Sequence, residues 1–133
     1  MSEAESARLM LAKALEDLRA ISAMLDSEVF SDRIFGFHAQ QAVEKSLKAW
    51  IAHVGAAFPY THDISRLLTI LEDHGVEVDR FWQLVDLNIY GVQLRYPSEE
   101  YHEGPLDRPE TIDQVRDLAH LVRDIVEEGT GSL

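Results

Sequence analysis

The chain has 133 residues, 24 acidic side chains against 12 basic ones and a formal net charge of −12. At 46% hydrophobic it is too apolar for a disordered acidic tail, and with no cysteine it has no disulfide framework, thiolate zinc site, iron–sulfur ligation or cysteine nucleophile. The acidic excess argues against indiscriminate binding to nucleic acid, and no DNA partner is expected.

A chain of this length buries about two-thirds of its unfolded surface, so 1–133 reads as a single domain with a core over about 5–127 and a tail at 129–133. The opening residues Met1-Ser2-Glu3-Ala4-Glu5 are acidic where a secretory signal is basic. No apolar run approaches the ~20 residues needed to span a bilayer. A cytoplasmic protein without a membrane partner is the expectation.

In chain order, Ser2 and Glu5 form a capping-box pair, and Leu11, Ala14, Leu15, Leu18, Ile21 and Leu25 follow at three- and four-residue spacing, which predicts a long amphipathic helix. The pattern breaks between Asp26 and Asp32, where Ser27 and Ser31 can cap. A second helix is predicted from about Asp32 to Val54, with the stripe Ala39, Val43, Leu47, Trp50, Val54 and a further small face of Phe35, Ala42, Ser46 and Ala49. Two buried faces make it the central helix.

Gly55 to Tyr60 reads as a loop, and Thr61 or Asp63 caps a shorter third helix bearing Ile64, Leu67, Leu68 and Leu71 and stopped by Gly75. Phe81, Leu84, Val85, Asn88, Val92 and Leu94 predict a fourth helix ending near Tyr96, because Pro97 disfavours helical geometry in the residue before it. Pro97 to Arg108 is the one long irregular stretch, and loops of this length are more often functional than the helices they join. A last helix is predicted with Thr111 and Gln114 as its capping box and Ile112, Val115, Leu118, Ala119, Val122, Ile125 and Val126 as its apolar face. The predicted fold is all-α: an up-and-down antiparallel bundle of four long helices and one shorter one.

Phosphate-loop, H-E-x-x-H, EF-hand and G-x-S-x-G motifs are missing, and no cofactor is expected. Glu99 and His102 supply one Glu-x-x-His spacing, which di-iron bundles use twice, so no metal is expected. Gln40, Gln41, Glu44 and Lys45 are candidates either to line a nucleotide pocket or to close hydrogen bonds between helices. His62-Asp63 is open to two readings, a catalytic pair or a helix cap. His38 and His53 read as packed or surface residues, and Trp50, Phe81 and Trp82 as core or interface aromatics.

The run Phe37-His38-Ala39-Gln40-Gln41-Ala42-Val43-Glu44-Lys45-Ser46-Leu47-Lys48-Ala49-Trp50 resembles the signature of HEPN domains, the "higher eukaryotes and prokaryotes nucleotide-binding" family. Pro59-Tyr60-Thr61-His62-Asp63-Ile64 with Leu67-Leu68, and Tyr90 to Arg95-Tyr96-Pro97, resemble its second and third elements in the same order. The resemblance implies a helical bundle, usually homodimeric. It also implies a frequent partner, a minimal nucleotidyltransferase paired with it as antitoxin to toxin, and in many members a metal-independent endoribonuclease acting on RNA.

Those enzymes carry Arg and His with four to six residues between them, and here Arg95 and His102 match with six. Tyr96 follows the arginine where active members place Asn, Asp or His. In such chemistry His moves a proton at the 2′-hydroxyl or the leaving oxygen, and Arg neutralises charge growing on the phosphorane. Residues 97–128 hold ten acidic and three basic side chains, a net of −7, whereas 32–54 is the least acidic helix. Lys45 and Lys48, with Gln41, are therefore the nucleotide- or phosphate-binding candidates beside Arg95. The alternative is a non-catalytic nucleotide-binding or structural module.

Overall fold

The computed structural model describes residues 2–92 and 106–131. The first helix, α1, spans Glu3–Ser22 and starts as expected: the Ser2 hydroxyl accepts from the Glu5 N–H at 3.1 Å, and the Glu5 carboxylate accepts from the Ser2 N–H at 2.8 Å. Its Ala7, Leu11, Ala14, Leu18 and Ile21 are buried. The second helix, α2, spans Asp32–His53, with the Ser31 side chain accepting from the Ile34 N–H. Both of its apolar faces are covered, and Phe35, Ala39, Ala42, Val43, Leu47 and Ala49 are fully buried. Gly55, at φ 84°, ends it in the left-handed conformation that glycine adopts without steric cost.

Helix α3 spans Ile64–Asp73, capped by Asp63, whose carboxylate accepts from the Ser65 N–H at 3.0 Å. Capping is thus the role the structure gives Asp63. Gly75, at φ 81°, follows the helix end.

The predicted fourth helix winds differently from expectation. Asp79–Leu87 is a 3₁₀ helix, continued by a short α4, Asn88–Val92. The buried residues explain the change, because Val78, Phe81, Leu84, Leu87 and Tyr90 recur at a strict interval of three. Side chains three apart eclipse on one face of a 3₁₀ helix, whereas at 3.6 residues per turn they drift off it.

Helix α5, Arg108–Gly131, starts three residues before the predicted capping box. The Asp107 carboxylate accepts from the Glu110 N–H at 3.0 Å, and Pro109 sits in the first turn, where its missing N–H costs nothing.

Contacts set the helix directions. Arg108 at the start of α5 is buried, donating from Nη1 to the Met24 carbonyl at 2.7 Å and from Nη2 to the Phe30 carbonyl at 2.7 Å and the Asp32 carboxylate at 2.8 Å, with its guanidinium over the Phe35 ring. So α5 begins where α1 ends and α2 begins, runs with α2 and lies antiparallel to α1. The 3₁₀–α4 run is antiparallel to α2: Phe81 packs edge-on against Trp50, and Tyr90 lies against Gly36. Helix α3 is antiparallel to that run, since Asp63 bonds Asn88 and Glu72 bonds Trp82. Helices α2 and α3 therefore point the same way, and the chain between them doubles back along α2.

The all-α bundle holds, and among the described residues there is no strand and no helix long and apolar enough to cross a membrane.

Gly36 leaves room on α2 for the buried Tyr90 ring: a Cβ there would lie 2.4 Å from it. Gly36→Ala gains up to ~1 kcal/mol of helix propensity but incurs overpacking of about 1–3 kcal/mol, and a net loss of about 1–2 kcal/mol is expected. Urea denaturation measures it; a more stable variant would refute the close approach.

Candidate functional site

The doubled-back connection between α2 and α3 carries Phe58, Tyr60 and His62 along the side of α2 that bears Gln40, Glu44 and Lys48. Lys48 sits 5.6 Å from the Phe58 ring centroid. One turn nearer the start of α2, Glu44 is 4% exposed and accepts three hydrogen bonds: from Lys48 Nζ at 2.9 Å, Gln40 Nε2 at 3.0 Å and His62 Nδ1 at 3.0 Å. Gln40, fully buried, also donates from Nε2 to the His62 carbonyl at 3.1 Å, and its Oε1 accepts from Gln41 Nε2 at 2.7 Å. The result is one connected polar cluster spanning α2 and the loop before α3.

Burial pushes the Glu44 carboxyl up, but the hydrogen bonds from Lys48, Gln40 and His62 outweigh it and hold the group below its ordinary value. Glu44 is therefore a carboxylate and can only accept, which places the proton of the Glu44–His62 bond on Nδ1. In the neutral ring Nε2 then carries the lone pair, and the side chain is half-exposed beside the fully exposed Tyr60, whose ring packs edge-on to it. A buried carboxylate fixing the tautomer of an accessible histidine is an arrangement that can accept a proton or hold a polar ligand.

The predicted phosphate-binding residues divide between two clusters. Lys48 and Gln41 belong to the Glu44 cluster. Lys45 faces the α1–α2 seam, where Nζ bonds the Asp17 carboxylate at 2.9 Å, and the same carboxylate bonds His38 Nδ1 at 3.1 Å. Both lysines are paired with carboxylates; Gln40 and Glu44 join α2 to the loop and Lys45 joins it to α1, while Gln41 bonds Gln40 on its own helix. His38 has a partner on α1, and His62 is partnered by Glu44 rather than Asp63.

The pairing of Glu44 with His62 was not legible in either residue alone. Its signal is that Gly55, Pro59 and the cap at Asp63 leave the intervening chain long enough to return along α2.

The catalytic candidates Arg95 and His102 lie outside the described residues, as does Glu99. Both described flanks of that segment are fastened to the first half of α2: Gly91 packs on Gln40, where a Cβ would come within 3.0 Å of the amide, and Arg108 is held on Asp32 and Phe35. Asn88 ties α4 to α3, accepting from the Ile64 N–H at 2.9 Å and donating to Asp63 at 2.8 Å. The hydrogen bond from the Ser65 side chain leads the interactions that hold the Asp63 carboxyl below its ordinary value. Among the described residues no group of His, Asp and Glu could hold a metal ion.

A family model for the HEPN domain matches residues 7–130. The chain belongs to the HEPN family. Comparison with curated proteins and with solved structures gives no match. The match covers the Glu44 cluster on α2 together with the Arg95/His102 segment, so this HEPN chain carries both within the family's own boundaries.

Because Glu44 is held below its ordinary value of 4.5, its contribution to stability is fully present above that pH and is lost as pH falls through the lowered value. In Glu44→Gln the acid-induced loss of stability below pH 4.5 is expected to be shallower than in the unaltered chain, with lower stability at neutral pH. Urea titrations at a series of pH values measure both; an unchanged acid slope would refute the assignment.

Proposed function

We propose that this HEPN chain works as a homodimer partnered by a minimal nucleotidyltransferase in a toxin–antitoxin-like pair, and that Arg95 and His102 give it a weak metal-independent endoribonuclease activity. The observation that carries this reading is the family match over residues 7–130, within which Arg95 and His102 stand at the nuclease spacing. The anchoring of both flanks of their segment to α2 supports it. So does the exposure of Leu25, Val29 and Ile34 around the α1–α2 turn, which suits an interface between copies.

In the proposed reaction the 2′-hydroxyl oxygen bonds the adjacent phosphorus and the P–O5′ bond breaks, leaving a 2′,3′-cyclic phosphate and a 5′-hydroxyl. One His102 takes the 2′ proton and the His102 of the second copy supplies a proton to the 5′ oxygen. Arg95 opposes the charge that grows on the phosphorane.

A second reading is favoured by the charge of residues 97–128, a net of −7: a non-catalytic module whose acidic segment binds a basic protein partner.

The purified protein is expected to cleave RNA in the presence of EDTA, and Arg95→Ala and His102→Ala are each expected to reduce the rate by about 10²-fold or more. Expression of the unaltered chain is expected to arrest growth, with both variants relieving it. Intact RNA and unaffected growth would select the second reading.

A further inference from the structure

The seam between α1 and α5 holds a basic cleft whose residues belong to neither polar cluster of α2. Arg19 and Ser22 of α1 and Arg116, His120 and Arg123 of α5 line an open cavity of about 360 Å³, at the lower end of the size range of small-molecule sites. Spacings of four and three place the α5 residues on one helical face, and Arg19 and Ser22 share a face of α1 in the same way.

Three of the chain's 12 basic side chains thus meet in one place on a protein of net charge −12. The α5 arginines are only lightly committed. Arg116 gives Nη1 to Asp113 at 2.9 Å and Arg123 gives Nε to Asp124 at 3.3 Å, and ion pairs as exposed as these are weak. Among the described residues Arg19 has no ion pair.

We propose that this cleft binds a phosphate group, supplied by a free phosphate ester or by the backbone of an RNA strand, at a subsite separate from Arg95 and His102. Three guanidinium forks and an imidazole arriving from two helices offer more donors than the two oxygens of a carboxylate can occupy. A phosphate presents oxygens on several sides and meets guanidinium edges in bidentate pairs. The grouped positive charge offsets, at this one place, the repulsion that an approaching anion meets from the acidic chain. The inference does not depend on nuclease activity.

The test titrates the intact chain carrying His102→Ala, so that cleavage consumes no probe, with adenosine monophosphate in one arm and a fluorescent single-stranded RNA of about ten nucleotides in the other. Binding by at least one probe is expected, weakened about tenfold or more by Arg116→Ala with Arg123→Ala. In the RNA arm the dependence of log K on log salt is expected to become shallower by about 0.7 for each arginine removed. Binding of the mononucleotide assigns the site to free esters, and binding of RNA alone assigns it to the strand. Arg33→Ala on the exposed face of α2 is the control, and Arg19→Ala carries the test if the double variant does not fold. No binding by either probe, binding indifferent to the arginine substitutions, or arginine-dependent binding of a glutamate-rich peptide in place of both probes would overturn the proposal.

Discussion

A carboxylate out of water on the central helix is the constraint around which this protein is arranged. An ionised Glu44 without partners would cost several kcal/mol, and α2 alone supplies only Lys48 and Gln40 as donors. The remaining hydrogen bond comes from His62, on a different element. Meeting that demand brings the chain after α2 back along the helix it has just left. It also sets the level at which α3 starts and makes α2 and α3 run the same way. Gln40 reinforces the arrangement by holding the His62 carbonyl while its own oxygen is satisfied by Gln41.

Helix α2 is consequently a wall shared by everything else. Helix α1 meets it through apolar packing and the Asp17 bridge to Lys45 and His38. Helix α4 meets it where Gly36 admits the Tyr90 ring. Helix α5 is moored by Arg108, which satisfies two carbonyls at the α1–α2 turn together with Asp32. Arg108 reads in the sequence as the last residue of a loop, yet it is a buried structural cation. Buried charge is retained here by three hydrogen bonds at Arg108 and three at Glu44.

Much of the helical framework was legible because its signals are local. The Ser2/Glu5 box, the Ser31 and Asp63 caps and the glycines at 55 and 75 each act within a few residues. Helix α5 starts ahead of the predicted box because Asp107 caps the Glu110 N–H, and that pair lies four residues before Thr111 and Gln114. The 3₁₀ winding of 79–87 was missed because an apolar set at three-residue intervals resembles a helical stripe over a short window. Of the candidate site, the residue types on α2 were readable, but their partners were not. Lys45 and Lys48 look equivalent as exposed cations in the sequence, and one turns to Asp17 while the other turns to Glu44.

By itself the sequence determined the all-helical class, the central place of α2 and the family, since periodicity, caps and ordered motifs are properties of short stretches of chain. Only the tertiary structure decided which charges neutralise one another, that His62 answers to Glu44, and that arginines distant along the chain share the α1–α5 cleft. Those outcomes depend on how segments far apart in sequence are brought together, and that is set by the burial of α2 and by the need of its buried charges for partners.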